Sequence, residues 1–263
     1  MDLSLISRIA TRAAYRAGRV LNDRFGKITQ VSKKGAIDLV TEADIESEQT
    51  IIATIKEVYP DHAILAEESG LLNQPGKYRW IIDPLDGTTN FAHHLALYSI
   101  SIAFSQDSEI LVGLVLIPSS GELFLARKNQ GAYLNNSPLH VSATSRIDES
   151  LLVTGFPYNT AQRIDPLINR FRNCILASQG VRRLGSAAID LCYVASGRFE
   201  GFWEEGLKPW DTAAGVLIVN EAGGRVTNFN DLPFQVDDQQ LLASNGLIHN
   251  EMLQVLKGEK INV

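Results

Sequence analysis

WIIDPLDGTTNF, residues 80–91, is an apolar run that ends abruptly in two carboxylates and a turn. The pattern predicts a strand that delivers Asp83, with Pro84 stopping the ladder and Asp86 following three residues later. Gly87, Thr88 and Thr89 then open a helical turn whose backbone N–H groups favour an anion, phosphate above all. One short segment thus offers ligands for a hard cation beside a cradle for an anion. An ordinary strand followed by an Asx-type turn leaves the doubled carboxylate unexplained.

Two further acidic sites have the same character. Glu67-Glu68 follows the apolar run Ala63-Ile64-Leu65-Ala66, and Asp211 follows Pro209-Trp210 at the start of a helical pattern. Taken alone, Asp211 reads as an ordinary first-turn acid and Glu67-Glu68 as a solvated loop. Their weight comes from convergence with Asp83 and Asp86. Two carboxylates about 4 Å apart repel by about 4 kcal/mol at an effective dielectric near 20. Four together exceed what a domain can spare unless cations neutralise them. All-oxygen ligation points to Mg²⁺, with Mn²⁺ as the alternative, and away from zinc. The five histidines, isolated or directly adjacent, are expected at the surface.

Outward from these sites the chain reads as one globular unit. It has 263 residues, 45% of them hydrophobic, and a net charge of −6, which argues against a nucleic-acid footprint. The start lacks the unbroken apolar core of a secretory signal. The apolar stretch Ala96 to Ile117 is split by Gln106-Asp107-Ser108-Glu109, as two strands and a turn would be and a membrane span would not. Two cysteines make no disulfide framework. A cytoplasmic protein is expected, with no membrane partner.

Leu5, Ile6, Ile9, Ala13, Ala17, Val20 and Leu21 recur at helical spacing before Gly26. Thr41 caps a second helix, with Asp44 three residues on, running to about Tyr59. Strands are predicted near 98–105, 110–117, 122–127 and 150–154, and at Phe199 to Trp203 and Gly224 to Asn228. Helices are predicted near 160–177, 187–196, 211–221 and 247–256. Neither a strict βαβ alternation nor an all-β spacing fits, so the fold class is mixed α/β, with sheets between helix layers.

Counting tests two other phosphatase chemistries. An aspartyl nucleophile in an Asp-x-Asp-Gly-Thr sequence fails by one residue, because Leu85 would hold the nucleophile position. Cys192 to Arg198 has Cys-x5-Arg spacing, but Cys192 reads as part of the apolar face of a helix, with no glycine-rich loop after it.

WIIDPLDGTTNFAH (80–93) and WDTAAGVLIVNEAGG (210–224) resemble the two signatures of the inositol monophosphatase family, in the right order. SLLVTGF and LGSAAIDLCYVASGRFEGFWE between them also resemble family sequence, its bacterial members in particular. The resemblance implies a five-layer αβαβα sandwich of the sugar-phosphatase type. It implies a single domain over 1–263, with sub-regions of about 1–145 and 146–263 sharing one active site, and a homodimer. By motif position, Glu67, Asp83 and the Leu85 carbonyl would hold a first metal, and Asp83, Asp86 and Asp211 a second. A third ion would sit near Glu67, making two to three Mg²⁺ in all, and lithium sensitivity would follow.

The activity implied is metal-assisted, in-line hydrolysis of an inositol monophosphate, without a covalent enzyme intermediate. Asp38 and Thr88 would position and deprotonate the attacking water, with Glu67 beside them. Gly87 and Thr88 would donate N–H groups to the phosphate. Asp86, Asp211, Glu204 and the Ser186-Ala187 backbone would read the hydroxyls of a small phosphorylated polyol, with a solvated rim acid as the alternative for Glu204. The same machinery could act on histidinol phosphate, fructose 1,6-bisphosphate or a nucleotide phosphate. A regulatory protein binding the transcription machinery is the alternative of another class.

Overall fold

Along the stretch Tyr78–Asp86, Trp80 and Ile82 are buried in one hydrophobic core and Ile81 in another. That two-residue period, repeated strand after strand, makes a sheet with both faces covered. The computed structural model describes residues 2–27, 31–33, 39–73, 76–157 and 160–259. Its first elements are α1 (Leu3–Arg24), β1 (Val31–Lys33), β2 (Leu39–Thr41), α2 (Glu42–Lys56), β3 (Ala63–Ala66), β4 (Gly70–Leu72) and β5 (Tyr78–Asp86). There follow α3 (Thr88–Ala92), β6 (Ser99–Gln106), β7 (Glu109–Ile117), β8 (Glu122–Arg127), β9 (Ala132–Leu134) and β10 (Ser137–Pro138). The remainder comprises β11 (Leu151–Thr154), α4 (Ile164–Ala177), β12 (Gly180–Arg182), α5 (Ala187–Ala195), β13 (Gly201–Glu205), α6 (Pro209–Glu221), β14 (Arg225–Thr227), β15 (Gln240–Ser244) and α7 (His249–Lys257).

Eight strands form one mixed sheet in the order β10-β9-β8-β7-β6-β5-β3-β4, and five form a second in the order β12-β11-β13-β15-β14. β1 and β2 pair apart from both. Helices α1 and α2 pack on each other and on β5, β6 and β7. Between the sheets, α6 lies on β6, β7 and β8, while α5 touches β11, β13 and β15. On the far face of the second sheet, α7 packs with α4, and Met252 and Val255 join Leu152 and Leu242 in a third core. The layers run helix, sheet, helix, sheet, helix, which is the αβαβα order that the family resemblance implied.

Local chemistry explains where the helices start. Asp2 accepts from the N–H groups of Ser4 and Leu5 at the head of α1. Thr41 and Asp44 form a reciprocal capping box on α2. Glycine lets α6 sit against the large sheet, since a Cβ at Gly113 would lie 2.5 Å from the Ala214 carbonyl oxygen. Among the described residues no helix is long and apolar enough to cross a membrane. The short strands β1, β2, β4, β9, β10, β12 and β15 were not anticipated, because two to five residues carry too little periodicity to stand out.

One histidine departs from expectation. His249 is fully buried, bonded to Thr227 Oγ1 at 2.9 Å and Ser244 Oγ at 2.8 Å, not at the surface. Burial and the nearby Arg225 charge press its pKa down to about 4, against a smaller opposing pull from Asp231. Between pH 4 and 6.5 the unfolded chain binds a proton there that the folded chain does not, so stability rises with pH in that window. The difference amounts to on the order of 3 kcal/mol. Urea unfolding at pH 4.5 and pH 7 should show this loss on acidification, and a His249→Gln variant should lack it. Equal pH dependence in the two proteins would place the effect elsewhere.

Candidate active site

The spacing Asp-x-x-Asp acquires its meaning in the pairing of β5 with β6. Asp83 lies opposite Ser101 and Asp86 opposite Ser99, so three steps on β5 match two on β6. Pro84 therefore does not stop the strand, as the sequence suggested; it sits in a one-residue bulge, and pairing resumes beyond it. In a regular strand, residues three apart face opposite ways. The extra residue restores phase, so both acids face the layer holding α5 and α6. Leu85, inside the bulge, is buried in the opposite core.

The other acids arrive by separate routes. β3 runs parallel to β5, and the N–H of Glu67, just past its end, donates to the Ile82 carbonyl. Pro209 starts α6, and Asp211 in its first turn accepts from the Lys208 N–H at 2.7 Å. Ser101 Oγ donates to the Trp210 carbonyl, tying that helix start to β6. Ser186 caps α5, and its hydroxyl together with the Ala188 N–H is bonded to Asp86 Oδ2 at 2.5 and 2.8 Å. A cavity of about 260 Å³ results, lined by Glu67, Asp83, Leu85, Asp86, Gly87, Thr88, Ser186, Ala187, Glu204 and Asp211. Every candidate residue read from the sequence lines it except Asp38, which lies outside the described residues.

Electrostatics tests whether this donor set suits a metal. Burial first, then Glu67, Asp86 and Asp211, hold the Asp83 carboxyl well above the usual range. Asp211 is raised by burial and by Asp86, and Asp86 by burial against the bonds it accepts from Ser186 and α5. Among the described residues no three His, Cys, Asp or Glu side chains form a closed ligand cluster as they stand. The set is nonetheless all oxygen, negatively charged and mutually repelling, which fits a hard divalent cation. Hydrogen bonds steady one oxygen each of Asp83, Asp86 and Asp211.

Thr88 stands beside these acids. Its hydroxyl lies 3.0 Å from both Asp44 Oδ1 and the Leu85 carbonyl. Asp44 Oδ2 accepts from the Thr41 N–H and hydroxyl, and burial lifts its pKa to about 6. Asp44 was read from sequence only as a cap, because the capping box already accounts for it. Gly87, at φ +93°, has no room for a side chain: a Cβ would lie 2.9 Å from the Leu97 carbonyl oxygen.

At the other end of the cavity Glu204 is buried, not a solvated rim acid, and burial and then Asp211 raise its pKa to about 8. Gly155 makes this possible, since a Cβ there would fall 2.1 Å from Glu204 Oε2. Asp190 and Arg183 also line the cavity and were missed. The signal for Asp190 was a lone carboxylate inside the apolar run AAIDLCYVA. Cys192 is buried in the core with its thiol pushed far up, so the cysteine chemistry fails as expected.

Known proteins are similar to this chain along nearly its whole length. The model for the inositol monophosphatase family matches residues 2–260. Inositol-1-monophosphatase of Synechocystis sp. is 48% identical over 97% of this chain and 90% of its own length. Nus factor SuhB of Pseudomonas aeruginosa is 40% identical, over 95% of this chain and 94% of its own. The structure of inositol monophosphatase from Anabaena (Nostoc) sp. PCC 7120 superposes with a TM-score of 0.90 at 41% identity, covering 99% of this chain and 98% of that one.

Buried acids with raised pKa values bind protons in the folded state that the unfolded chain has released. Without a cation, their contribution to stability is full below about pH 4 and is lost as pH rises. A divalent cation reverses the penalty by replacing those protons. The rise in melting temperature on adding Mg²⁺ to EDTA-treated protein should therefore be larger at pH 8 than at pH 5. In Asp83→Asn the chelated protein should melt higher than wild type, and the Mg²⁺ increment should vanish. An undiminished increment would remove Asp83 from the cation site.

Proposed function

Because the chain belongs to the inositol monophosphatase family, phosphatases that hydrolyse phosphate monoesters, we propose that it releases phosphate from an inositol monophosphate with the aid of Mg²⁺. The observation that carries this reading is the meeting of Glu67, Asp83, Asp86 and Asp211 with the Gly87-Thr88 turn in one cavity. Glu67, Asp83 and the Leu85 carbonyl would hold one ion, and Asp83, Asp86 and Asp211 another, with a third near Glu67. Mn²⁺ is the expected substitute, and Li⁺ the expected inhibitor. The ions, when bound, supply Lewis acidity toward the phosphate and acidify water for attack.

The chain's own groups do the rest. Thr88 Oγ1, donating to Asp44, keeps lone pairs with which to orient the attacking water and take its proton. Asp44, with its pKa near 6, is matched to receiving that proton at neutral pH. This gives Asp44 the partnership with Thr88 that the resemblance assigned to Asp38. The first N–H groups of a helix have no intrahelical acceptor, so those of Gly87 and Thr88 are suited to hold phosphate oxygens. Glu204 and the Ser186-Ala187 backbone face the polyol.

The broader setting belongs to the same proposal. Residues 1–263 act as one domain whose two sub-regions share the cavity, which fits one sheet drawn from residues 63–138 and another from 151–244. Ile164, Ile168 and Ile175 are exposed by 44%, 46% and 46% along one face of α4, an apolar row that suits a homodimer contact. The buried free thiols Cys174 and Cys192 suit the cytoplasm. Relatives named as Nus factors raise a regulatory role, but a net charge of −6 and the intact acid set favour catalysis.

Phosphate release from inositol 1-phosphate should require Mg²⁺, disappear in EDTA and be almost abolished in Asp83→Asn. Thr88→Ala and Asp44→Asn should each lower kcat by roughly 10²-fold or more while the protein stays folded. Activity persisting in EDTA would overturn the metal-dependent reading, and better turnover of histidinol phosphate would displace the substrate. Light scattering should give twice the 28.9 kDa chain mass, and Ile168→Glu should give monomer.

A further inference from the structure

Asp190 occupies a place that fold stability does not explain. Every residue of α5 except Tyr193 is buried, and Asp190 is 1% exposed. Neither of its carboxylate oxygens has a hydrogen-bond partner among the described residues. The helix offers donors in its first turn, yet the Ala188 N–H goes to Asp86 and the Ile189 N–H to Ser186 Oγ. Buried carboxylates are normally paired, because an unpaired one is costly. Glu205 illustrates the normal case: it is equally buried, and Arg163 and Arg170 both bind it. An orphaned acid in a cavity wall is instead suited to a ligand.

Its surroundings define that ligand. Burial first, then Glu204 and Asp86 as neighbouring acids, hold the Asp190 carboxyl well above the usual range, and Arg183 pulls the other way. Glu204, Arg183 and Lys208 line the same cavity. A second phosphate at this end would meet two acids that burial already holds back from ionising, and would oppose their ionisation further. An ammonium group would meet Arg183 and Lys208. Hydroxyls bring donors with no charge, and an acceptor carboxylate is the group that reads them best.

Resting on the phosphatase reading above, we infer that Asp190 is a specificity-determining residue whose carboxylate accepts hydrogen bonds from the hydroxyls of an uncharged polyol. A polar group lost from such a contact weakens recognition selectively, because a substrate hydroxyl left without its acceptor keeps the cost of its lost hydration.

Steady-state kinetics on the full chain with Mg²⁺ tests this. Wild type, Asp190→Asn and Asp190→Ala would be compared on inositol 1-phosphate, p-nitrophenyl phosphate and fructose 1,6-bisphosphate. For Asp190→Ala, KM for inositol 1-phosphate should rise roughly tenfold or more with kcat little changed. p-Nitrophenyl phosphate, which has no hydroxyls to read, should be unaffected. Asp190→Asn, keeping one acceptor oxygen, should fall between, and both variants should narrow the preference over the bisphosphate. The melting temperature of Asp190→Ala should equal or exceed that of wild type. A parallel loss on all substrates or a lower melting temperature would make Asp190 structural and overturn the inference, as would an unchanged KM. If wild type hydrolyses p-nitrophenyl phosphate but not inositol 1-phosphate, the substrate reading fails on its own. The same comparison with glycerol 2-phosphate then decides the role of Asp190.

Discussion

Mutual repulsion among buried carboxylates is the constraint around which this molecule is arranged. Asp83, Asp86 and Asp211 each have raised pKa values, with burial as the largest cause and neighbouring acids among the rest for Asp83 and Asp211. At about 4 kcal/mol per close pair, such repulsion rivals the whole stability of a typical domain. The fold tolerates it because three hydrophobic cores flank the two sheets and fix the elements that carry the acids. Hydrogen bonds from Leu85, Ser186, Ala188 and Lys208 then hold the carboxylates in place without neutralising them. The remaining charge is what a hard cation would answer.

The cavity divides by chemistry. At one end the acids meet the Gly87-Thr88 turn, and Thr88 links the site to the cap of α2 through Asp44. At the other end Glu204 and Asp190 come from β13 and α5, elements of the second half of the chain. Glu205, next to Glu204, is bound by Arg163 and Arg170, so the helix layer beyond the second sheet is tied to the strand that positions Glu204. Glu67, Asp83 and Asp86 are therefore carried by strands of the large sheet, and Glu204 by the smaller one. Asp211 belongs to the helix layer between them.

Of the acids read from the sequence, Asp83 and Asp86 had no simpler role to absorb them, and Glu67 and Asp211 gained weight only by converging with that pair. Asp83 and Asp86 were legible because a doubled carboxylate at a strand end serves no folding purpose. Asp44 was not, because Thr41 and Asp44 already made a complete capping box, and its second oxygen's bond to Thr88 spans 44 residues of sequence. Asp190 was hidden by its apolar neighbours. Glu204 was seen but its burial was not, since that depends on Gly155, just past the end of β11, leaving space for it. His249 was misjudged for a similar reason, its hydroxyl partners lying at Thr227 and Ser244.

What the sequence determined by itself was local: period, caps, turn residues, and the ordered pair of signatures that identified the family resemblance. These placed the helices closely and the longer strands, β5 excepted, to within a residue or two. The tertiary structure alone decided phase and proximity. Whether Asp83 and Asp86 share a face depends on a bulge defined by the opposing strand, and whether an acid is buried depends on residues far along the chain. Side-chain direction and desolvation are properties of pairs of elements, so no window along a single chain contains them.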